Sequence, residues 1–250
     1  MPPALKPLKW YKSLSTRKGR LSAGAFLVEG ERAVSQVIVT KPGDIEEVLV
    51  VGNIPSLYSR FTVRSLTESQ FKTISSARTP QDIAAVVKSP RDMYTDVLPS
   101  DIGDKLLLLE NIQDPGNAGT LIRTAAAFGY SGVIMTEKSA DPLSPKCVQS
   151  TAGSVLSVWI RRTSGYLKLI RQLQDKGYAV IAADLAGTEG PSVLKNRKKL
   201  ILALGNEASG LSGELLDISE HRIRIPTIRD KAESLNVAVC GTICMYLSST

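Results

Sequence analysis

Short apolar runs alternate with stretches of helical periodicity through the C-terminal part of the chain. Each run is four or five residues long and is bounded by polar or glycine-containing sequence, which is typical of a buried strand. The runs are Leu106–Leu109, Gly132–Met135, Leu156–Ile160, Ala179–Ala183 and Leu200–Leu204. Because strands alternate with helices, we predict a mostly parallel α/β sheet with helices on both faces.

The N-terminal part shows the same alternation on a smaller scale, which predicts a small α/β domain. Its strand candidates are Ala25–Val28, Val48–Val51, Phe61–Val63 and Ile83–Val87, and its helical stretches lie near Glu31–Val39 and Thr67–Ile74. The polar, aperiodic stretch that follows contains two prolines and is interpreted as a linker. The predicted organisation is a basic arm at 1–14, a small domain at 15–88, the linker at 89–104 and a larger domain at 105–250.

Charge adds a candidate partner at the N-terminus. The 250 residues carry a formal net charge of +7, and every charged side chain before Glu29 is basic. This distribution favours a polyanionic partner. A basic leader is typical of either a targeting peptide or an RNA-contacting arm, and three prolines without an amphipathic helix favour the arm. The predicted RNA-binding residues are Arg17, Lys18, Arg20 and Arg32.

Composition argues against several other classes of protein. No apolar run reaches the roughly 20 residues of a membrane span, so no membrane partner is expected. The three cysteines lack metal or disulfide spacing, which predicts a reducing compartment and a cytoplasmic location. A single histidine, His221, argues against a zinc site or a histidine-based triad and is expected at the surface beside Arg222. The sequence contains neither a dinucleotide-binding nor a Walker A motif.

The segment after the first C-terminal strand carries the most specific pattern. Asp114-Pro115-Gly116 breaks the chain, and Asn117 is predicted to be the N-cap of a helix. In that helix Arg123 projects about 120° away from the apolar face, counting 100° per residue. Arg123 is therefore either a solvated surface residue or a ligand-binding residue at the carboxyl edge of the sheet.

Two further loops carry polar residues next to predicted elements. Gly205-Asn206-Glu207 and Gly210-Leu211 follow the last apolar strand, where glycines permit close backbone approach to a ligand. The simpler interpretation of this loop is a strand-to-helix turn capped by Ser212. The last loop runs from Ile225-Pro226 to Ser234-Leu235-Asn236-Val237, and Ser234 or Asn236 is expected to cap a C-terminal helix. The residues alone predict a basic α/β protein with a polar ligand site.

Together, the three loops resemble the three sequence motifs of the SpoU/TrmH-type RNA 2′-O-ribose methyltransferases of the SPOUT superfamily. The N-terminal domain is similar to the family's substrate-binding domain, itself similar to ribosomal RNA-binding proteins, at Arg17–Arg20, Gly24–Gly30 and Thr79–Gln81. The resemblance implies an α/β fold with a SPOUT-type parallel sheet and a trefoil knot, and a homodimer. It also implies methyl transfer from S-adenosyl-L-methionine to a ribose 2′-hydroxyl in RNA, with ribosomal RNA favoured over tRNA.

The resemblance further implies roles for individual residues. Arg123 would accept or help to release the proton of the 2′-hydroxyl, either as a base or as an orienting group that contacts an RNA phosphate. The other implied catalytic residues are Asn117, Glu207, Ser234 and Asn236, and the implied cofactor-binding residues are Leu204, Gly205, Gly210, Ile225 and Leu235. No metal is implied.

Two departures from the family pattern leave alternatives open. Residues 227–233 lack the usual Met and Gly and are one position longer, and Arg229 and Lys231 in this stretch are candidate RNA contacts. Asp82 stands where the substrate-binding domain usually has Gly. The alternatives are the same transfer to tRNA and a non-catalytic RNA-binding protein of this fold. The intact polar set of the three motifs favours catalysis.

Overall fold

The computed structural model describes residues 6–228, 230–231 and 234–249. The helices are α1 Leu8–Ser13, α2 Arg17–Ala23, α3 Glu31–Thr40, α4 Glu68–Ile74, α5 Pro115–Ala127, α6 Pro145–Thr151, α7 Tyr166–Gln174, α8 Gly213–Asp217 and α9 Val237–Leu247. The strands are β1 Ala25–Glu29, β2 Ile45–Val51, β3 Val63–Leu66, β4 Ile83–Lys88, β5 Lys105–Leu109, β6 Gly132–Thr136, β7 Trp159–Thr163, β8 Ala179–Ala183, β9 Leu200–Leu204 and β10 His221–Ile223. The chain divides into two compact units, one of residues up to Arg91 with Asp141–Leu156, the other of Asp92–Ala140 with residues from Ser157 onward.

The first unit contains a four-stranded sheet in the order β1-β4-β2-β3. Strand β4 pairs antiparallel with β1 and β2, whereas β2 and β3 are parallel. Helix α3 packs against β1 and β4, and α1 packs against α4. The predicted strand at Phe61–Val63 is displaced, because β3 begins at Val63.

Residues 8–14 fold with the first unit, whereas the sequence predicts a separate basic arm at 1–14. Tyr11 and Leu14 are 0% and 1% exposed, and both pack with Phe71 in the core of the first unit. The hydroxyl of Tyr11 donates to the carboxylate of Glu47 at 2.6 Å. Lys9 and Lys12 thus lie on a helix that is anchored by Tyr11 and by Leu14 at its C-cap, and this helix is too short to show an amphipathic pattern.

Residues 141–156 differ from the predicted domain boundaries, which placed them in the domain at 105–250. They belong to the first unit, where α6 packs against β1. A β-carbon at Gly153, whose φ is +90°, would lie 2.4 Å from the carbonyl oxygen of Ala33. The buried guanidinium of Arg20 also pairs with Asp141 at 2.6 Å.

The second unit is built on a six-stranded parallel sheet in the order β10-β8-β9-β5-β6-β7. Strand β9 is buried at every residue, because helices such as α7 pack their apolar faces on the sheet. This arrangement confirms the predicted α/β class with a parallel sheet. No helix among the described residues is long and apolar enough to span a membrane.

Two details of this sheet differ from the sequence prediction. The strand predicted at Leu156–Ile160 is displaced to β7, and β10 was missed because only three residues form it. Part of the predicted linker packs on β7. Arg161 pairs with Asp92 at 2.5 Å, and the N–H of Arg162 donates to the carbonyl of Met93, which is 1% exposed.

Candidate functional site

A cavity of about 450 Å³ opens at the carboxyl ends of β8, β9 and β10, within the second unit. Ala183, Leu204 and Ile223, the last residues of these strands, all line it. Parallel α/β sheets bind ligands at this edge, and a volume of this size suits a nucleoside-sized molecule. The cavity is lined in addition by Asp184, Leu185, residues 205–211, Arg224, Ile225, Thr227, Ser234–Val237 and Cys240.

The loop between β9 and α8 forms one wall of the cavity through two glycines. The backbone N–H of Asn206 donates to the carbonyl of Gly210 at 3.1 Å, and the N–H of Gly210 donates to the carbonyl of Asn206 at 2.9 Å. A β-carbon at Gly205 would lie 2.3 Å from the carbonyl carbon of Gly210. Gly210 has a φ of +68°, a conformation that favours glycine. The glycines therefore allow a closed loop that lines the cavity.

Three polar side chains from three separate segments of the chain meet beside this cavity. The amide nitrogen of Asn117 donates to Glu207 at 2.8 Å, and the amide nitrogen of Asn236 donates to the Asn117 oxygen at 3.1 Å. Glu207 and Asn236 also line the cavity. A hydrogen-bonded chain thus links the starts of α5 and α9 with the loop after β9.

The N-terminal caps of α5 and α9 explain how the hydrogen-bonded side chains are held in place. Asn236 is the N-cap of α9 and accepts hydrogen bonds from the N–H groups of Ala238 and Val239. Asn117 was predicted to cap α5, and this prediction is wrong. Asp114 is the cap and accepts the N–H of Asn117 at 2.7 Å. This shift of three residues frees the Asn117 side chain for the site.

The site residues predicted from the sequence form three groups according to their place relative to the cavity. All five predicted cofactor-binding residues line the cavity, as do Glu207, Ser234 and Asn236. Asn117 contacts two of these residues. Arg123 is exposed on α5, outside the cavity lining.

The predicted RNA-binding residues separate by exposure. Arg17 and Lys18 on α2 and Arg32 on α3 are exposed. Arg20 is 4% exposed, and its guanidinium donates to the carbonyls of Leu14 and Ser15 as well as to Asp141. Arg20 therefore stabilises the first unit and is not available as an RNA-binding surface residue.

The atypical loop before Ser234 is described only in part. Arg229 lies outside the described residues. Lys231 is exposed, and its N–H donates to the carbonyl of Ile228 at 3.0 Å, which forms a turn. Asp82 adopts a φ of +55°, the left-handed conformation for which glycine is the usual residue.

Several residues near the site were missed from the sequence. Asp184 and Arg224 line the cavity, and only their positions at strand ends marked them. His221 is half-buried rather than simply at the surface: its Nδ1 lies 2.9 Å from Glu189 and its Nε2 lies 2.6 Å from Arg197.

A hydrogen bond with Cys244 lowers the pKa of Cys240, which lines the cavity. Within the described ranges, no group of three or more His, Cys, Asp or Glu side chains is arranged to hold a metal.

The parallel sheet, with a cavity at the carboxyl ends of its strands, places the protein in the class of α/β proteins that bind a ligand at this edge. The family model of the SpoU rRNA Methylase family matches residues 104–246, and that of the MRM3-like substrate binding domain matches residues 6–85. The chain belongs to the SpoU rRNA methylase family, which confirms the resemblance.

Individual relatives match nearly the whole chain. RlmP of Bacillus subtilis (strain 168), a 23S rRNA (guanosine(2553)-2′-O)-methyltransferase, is 32% identical over 96% of this chain and 94% of its own. A TrmH-family protein from Porphyromonas gingivalis superimposes with a TM-score of 0.83 at 31% identity, over 98% of both chains. The AdoMet-bound rRNA methyltransferase from Sinorhizobium meliloti gives a TM-score of 0.82 at 28% identity, over 99% of this chain and 96% of that one.

Proposed function

We propose that this protein transfers the methyl group of S-adenosyl-L-methionine to a ribose 2′-hydroxyl in ribosomal RNA. The observation that carries the proposal is the hydrogen-bonded chain Glu207–Asn117–Asn236 beside the cavity at the carboxyl edge of the sheet. It joins the three loops that resemble the family motifs. The B. subtilis relative, matched over nearly its full length, is named for this reaction on 23S rRNA.

The cavity fits the cofactor in size, backbone access and charge. Its volume of about 450 Å³ lies within the range of small-molecule sites. The backbone at Leu204–Gly205 and Ile225 and at Leu235 would contact the adenosine. Asp184 and Glu207 provide two carboxylates against the one guanidinium of Arg224, which suits a cationic sulfonium. When bound, the cofactor supplies an activated methyl group.

The polar residues of the site would orient the acceptor. We assign Arg123, exposed on α5, to an RNA phosphate next to the reacting ribose, where it positions or deprotonates the 2′-hydroxyl. Asn117, Glu207, Ser234 and Asn236 would hold the ribose in line with the methyl group. Alignment of reacting groups contributes several kcal/mol to lowering a barrier.

Substrate choice is assigned to the first unit. Its family model is that of a substrate-binding domain, and Arg17, Lys18 and Arg32 expose basic side chains there. Aromatic residues make up only 5% of the chain, which favours recognition of RNA shape and phosphates over base stacking. This combination supports ribosomal RNA over tRNA.

We also propose that the protein acts as a homodimer in a reducing, cytoplasmic compartment. Val239 and Tyr246 on α9 are 48% and 54% exposed, and apolar exposure of this kind is typical of an interface. Cys147, Cys240 and Cys244 form no disulfide bond, which suits a reducing compartment. Light scattering of wild type and of Tyr246→Glu tests the dimer. A charge that dimer formation would bury should weaken the interface and shift the measured mass to that of a monomer.

The decisive experiment is transfer of labelled methyl groups to RNA from cells that lack this protein, separated into ribosomal and transfer pools. We expect label in the ribosomal pool with wild type and a loss of at least about 100-fold with Arg123→Ala, the scale of a lost acid–base group. Arg171→Ala, which removes an exposed arginine from α7, is the matched control and should retain activity. Label in the transfer pool alone would overturn the ribosomal assignment. Neither label nor cofactor binding would indicate a non-catalytic RNA-binding protein.

A further inference from the structure

A buried carboxylate outside the three motif loops is bonded to the loop that lines the cavity. Glu110 follows β5 directly and is 1% exposed. Its Oε2 accepts the backbone N–H of Ser212 at 2.7 Å, and its Oε1 accepts the hydroxyls of Ser212 at 2.6 Å and of Tyr166 at 2.5 Å. Three donors therefore converge on one buried charge.

Two of these donors belong to Ser212, where the cavity loop ends. Ser212 follows the loop 205–211, all of which lines the cavity, and it is the N-cap of α8. At the other end of the loop, the side-chain amide of Asn206 donates to the carbonyl oxygen of Asn111 at 2.9 Å. Asn111 is the neighbour of Glu110, so two successive residues after β5 hold both ends of the loop.

The backbone at this point is itself fixed. The N–H of Glu110 donates to the carbonyl of Leu204 at 2.9 Å, which extends the pairing of β5 with β9 by one bond. Asn111 adopts a φ of +57°, and its side-chain oxygen accepts the hydroxyl of Thr136 at 2.9 Å. The two attachment points of the loop therefore sit on a rigid strand end.

We propose that Glu110 is a positioning residue that holds the 205–212 loop in its ligand-binding conformation before the cofactor arrives. A buried charge is a costly way to stabilise a core, and an apolar residue of similar volume usually serves as well. A carboxylate that binds three donors instead selects one geometry for the residues that carry them. A loop ordered in advance loses less conformational entropy when a ligand binds, so affinity for the ligand rises. The inference rests on the proposed function, because it takes the cavity ligand to be S-adenosyl-L-methionine.

Tyr166 completes the arrangement. Burial, followed by the hydrogen bond to Glu110, raises the pKa of Tyr166 to about 12, so it remains a donor at physiological pH. In Glu110→Gln, one acceptor oxygen becomes an amide that donates. The amide can keep its oxygen on the backbone N–H of Ser212 and donate to the hydroxyls of Tyr166 and Ser212, which can rotate to accept. Glu110→Gln therefore keeps the shape of the side chain but removes the charge that strengthens these bonds, and the milder Tyr166→Phe removes one bond.

The test measures cofactor affinity separately from catalysis and folding. We expect the Kd for S-adenosyl-L-methionine, from calorimetry, to rise about tenfold in Glu110→Gln and about threefold in Tyr166→Phe, as for loss of hydrogen bonds to a charged group. The KM for RNA and kcat at saturating cofactor should stay within about twofold of wild type. Tyr178→Phe is the matched control: it also loses a buried tyrosine hydroxyl bond, to the carbonyl of Gly103, but outside the cavity.

A second measurement keeps the two proposals distinguishable. Hydrogen exchange of the Gly210 and Ser212 amides, without cofactor, should accelerate in Glu110→Gln and Tyr166→Phe but not in Tyr178→Phe. If wild type binds no cofactor, the proposed function fails, and the exchange rates still report whether Glu110 orders the loop. Unchanged exchange and unchanged Kd in both variants would overturn the role of Glu110. A fall in cofactor affinity accompanied by similar fold-losses in RNA affinity and by a lower melting temperature would show general destabilisation, and would also overturn the role of Glu110.

Discussion

Asn117 uses both ends of its amide in the site. Its nitrogen donates to Glu207 and its oxygen accepts from Asn236. Only an amide side chain offers a donor and an acceptor in this fixed geometry, whereas a carboxylate only accepts. The identity of this residue is therefore determined by its two neighbours as much as by any substrate.

Asn117→Asp tests this arrangement at the level of one atom. It replaces the donor to Glu207 with a charged oxygen, and like charges at hydrogen-bonding distance repel. We expect methyl transfer to fall about 100-fold at pH 8, the scale of a misaligned reacting group. The deficit relative to wild type should shrink towards pH 5, where one carboxyl of the pair takes up a proton and donates again.

The measurement is a rate profile of both proteins from pH 5 to 8 with intact RNA. Thr120→Ala, an exposed change on the same helix, serves as the control and should follow wild type. A deficit in Asn117→Asp that does not change with pH would argue that charge repulsion is not its cause.

Residue-level predictions from the sequence succeeded where a pattern reports position and failed where partners are distant. Glycines after an apolar strand predicted a loop open to a ligand at Gly205 and Gly210, and both residues line the cavity. Arg20 was misassigned because a basic side chain looks the same whether it is exposed or paired with Asp141, 121 residues away. Glu110 gave no signal, because its partners lie 56 and 102 positions along the chain.

At the scale of elements, the loop between β9 and α8 makes a prediction about steric fit. In Gly205→Ala, the new methyl group would lie 2.3 Å from the carbonyl carbon of Gly210, so the loop must open. We expect cofactor affinity to fall by at least about tenfold, because the cavity wall is displaced. Calorimetry with S-adenosyl-L-methionine measures the change.

Gly213→Ala provides the matched control a few residues further on. A β-carbon at Gly213 meets no atom within 4 Å, and the residue begins α8, where alanine is favoured over glycine. This variant should bind cofactor as wild type does and should be more stable by up to about 1 kcal/mol. Equal affinities for the two alanine variants would show that closure of the loop does not determine binding.

Helix ends were predictable from the sequence only to within a turn. The apolar stripe placed α5 correctly, but Asp114 and Asn117 are both good capping residues three positions apart. Pro115 decides between them, because proline is favoured at the first helical position. At α9, Ser234 and Asn236 were equal candidates, and the structure selects Asn236.

At the scale of the whole molecule, the periodicity of apolar residues predicted both sheets but not how the chain is shared between the units. The strand at β7 was displaced because Val155 and Leu156 are buried for another reason: they lie in a turn of the first unit. Sequence order placed residues 141–156 with their neighbours β6 and β7. Contacts such as Gly153 with Ala33 are invisible to a pattern read along the chain.

Tyrosines with raised pKa values, one in each unit, predict loss of stability at alkaline pH. Burial, aided by the bond to Glu47, raises the pKa of Tyr11 to about 12, and Tyr166 has the same value. A raised pKa means that the folded state keeps its proton where the unfolded state releases it. The contribution to stability is therefore complete below pH 10 and is lost between about pH 10 and pH 12.

We expect the free energy of unfolding in urea to fall as the pH rises above 10. Tyr11→Phe and Tyr166→Phe should each reduce the slope of this fall, and the double variant should reduce it further, because the two side chains lie in separate units. A slope that is unchanged in the double variant would attribute the alkaline loss to other groups.

The pair of Arg20 and Asp141 predicts how far the first unit depends on residues 141–156. Both side chains are buried, at 5% and 12% exposure, and Asp141→Asn would leave the guanidinium without its counter-charge. We expect the free energy of unfolding to fall by about 3 kcal/mol, as for other buried pairs that lose one partner. Glu68→Gln, which breaks the exposed pair with Lys72 in the same unit, should cost no more than about 1 kcal/mol.

Asp141 lies between two strands of the parallel sheet in sequence. A large effect of Asp141→Asn on the unfolding transition of the first unit would therefore show that this unit needs a segment from beyond β6 to fold. An effect no larger than that of Glu68→Gln would mean that residues 141–156 rest on the first unit without stabilising it.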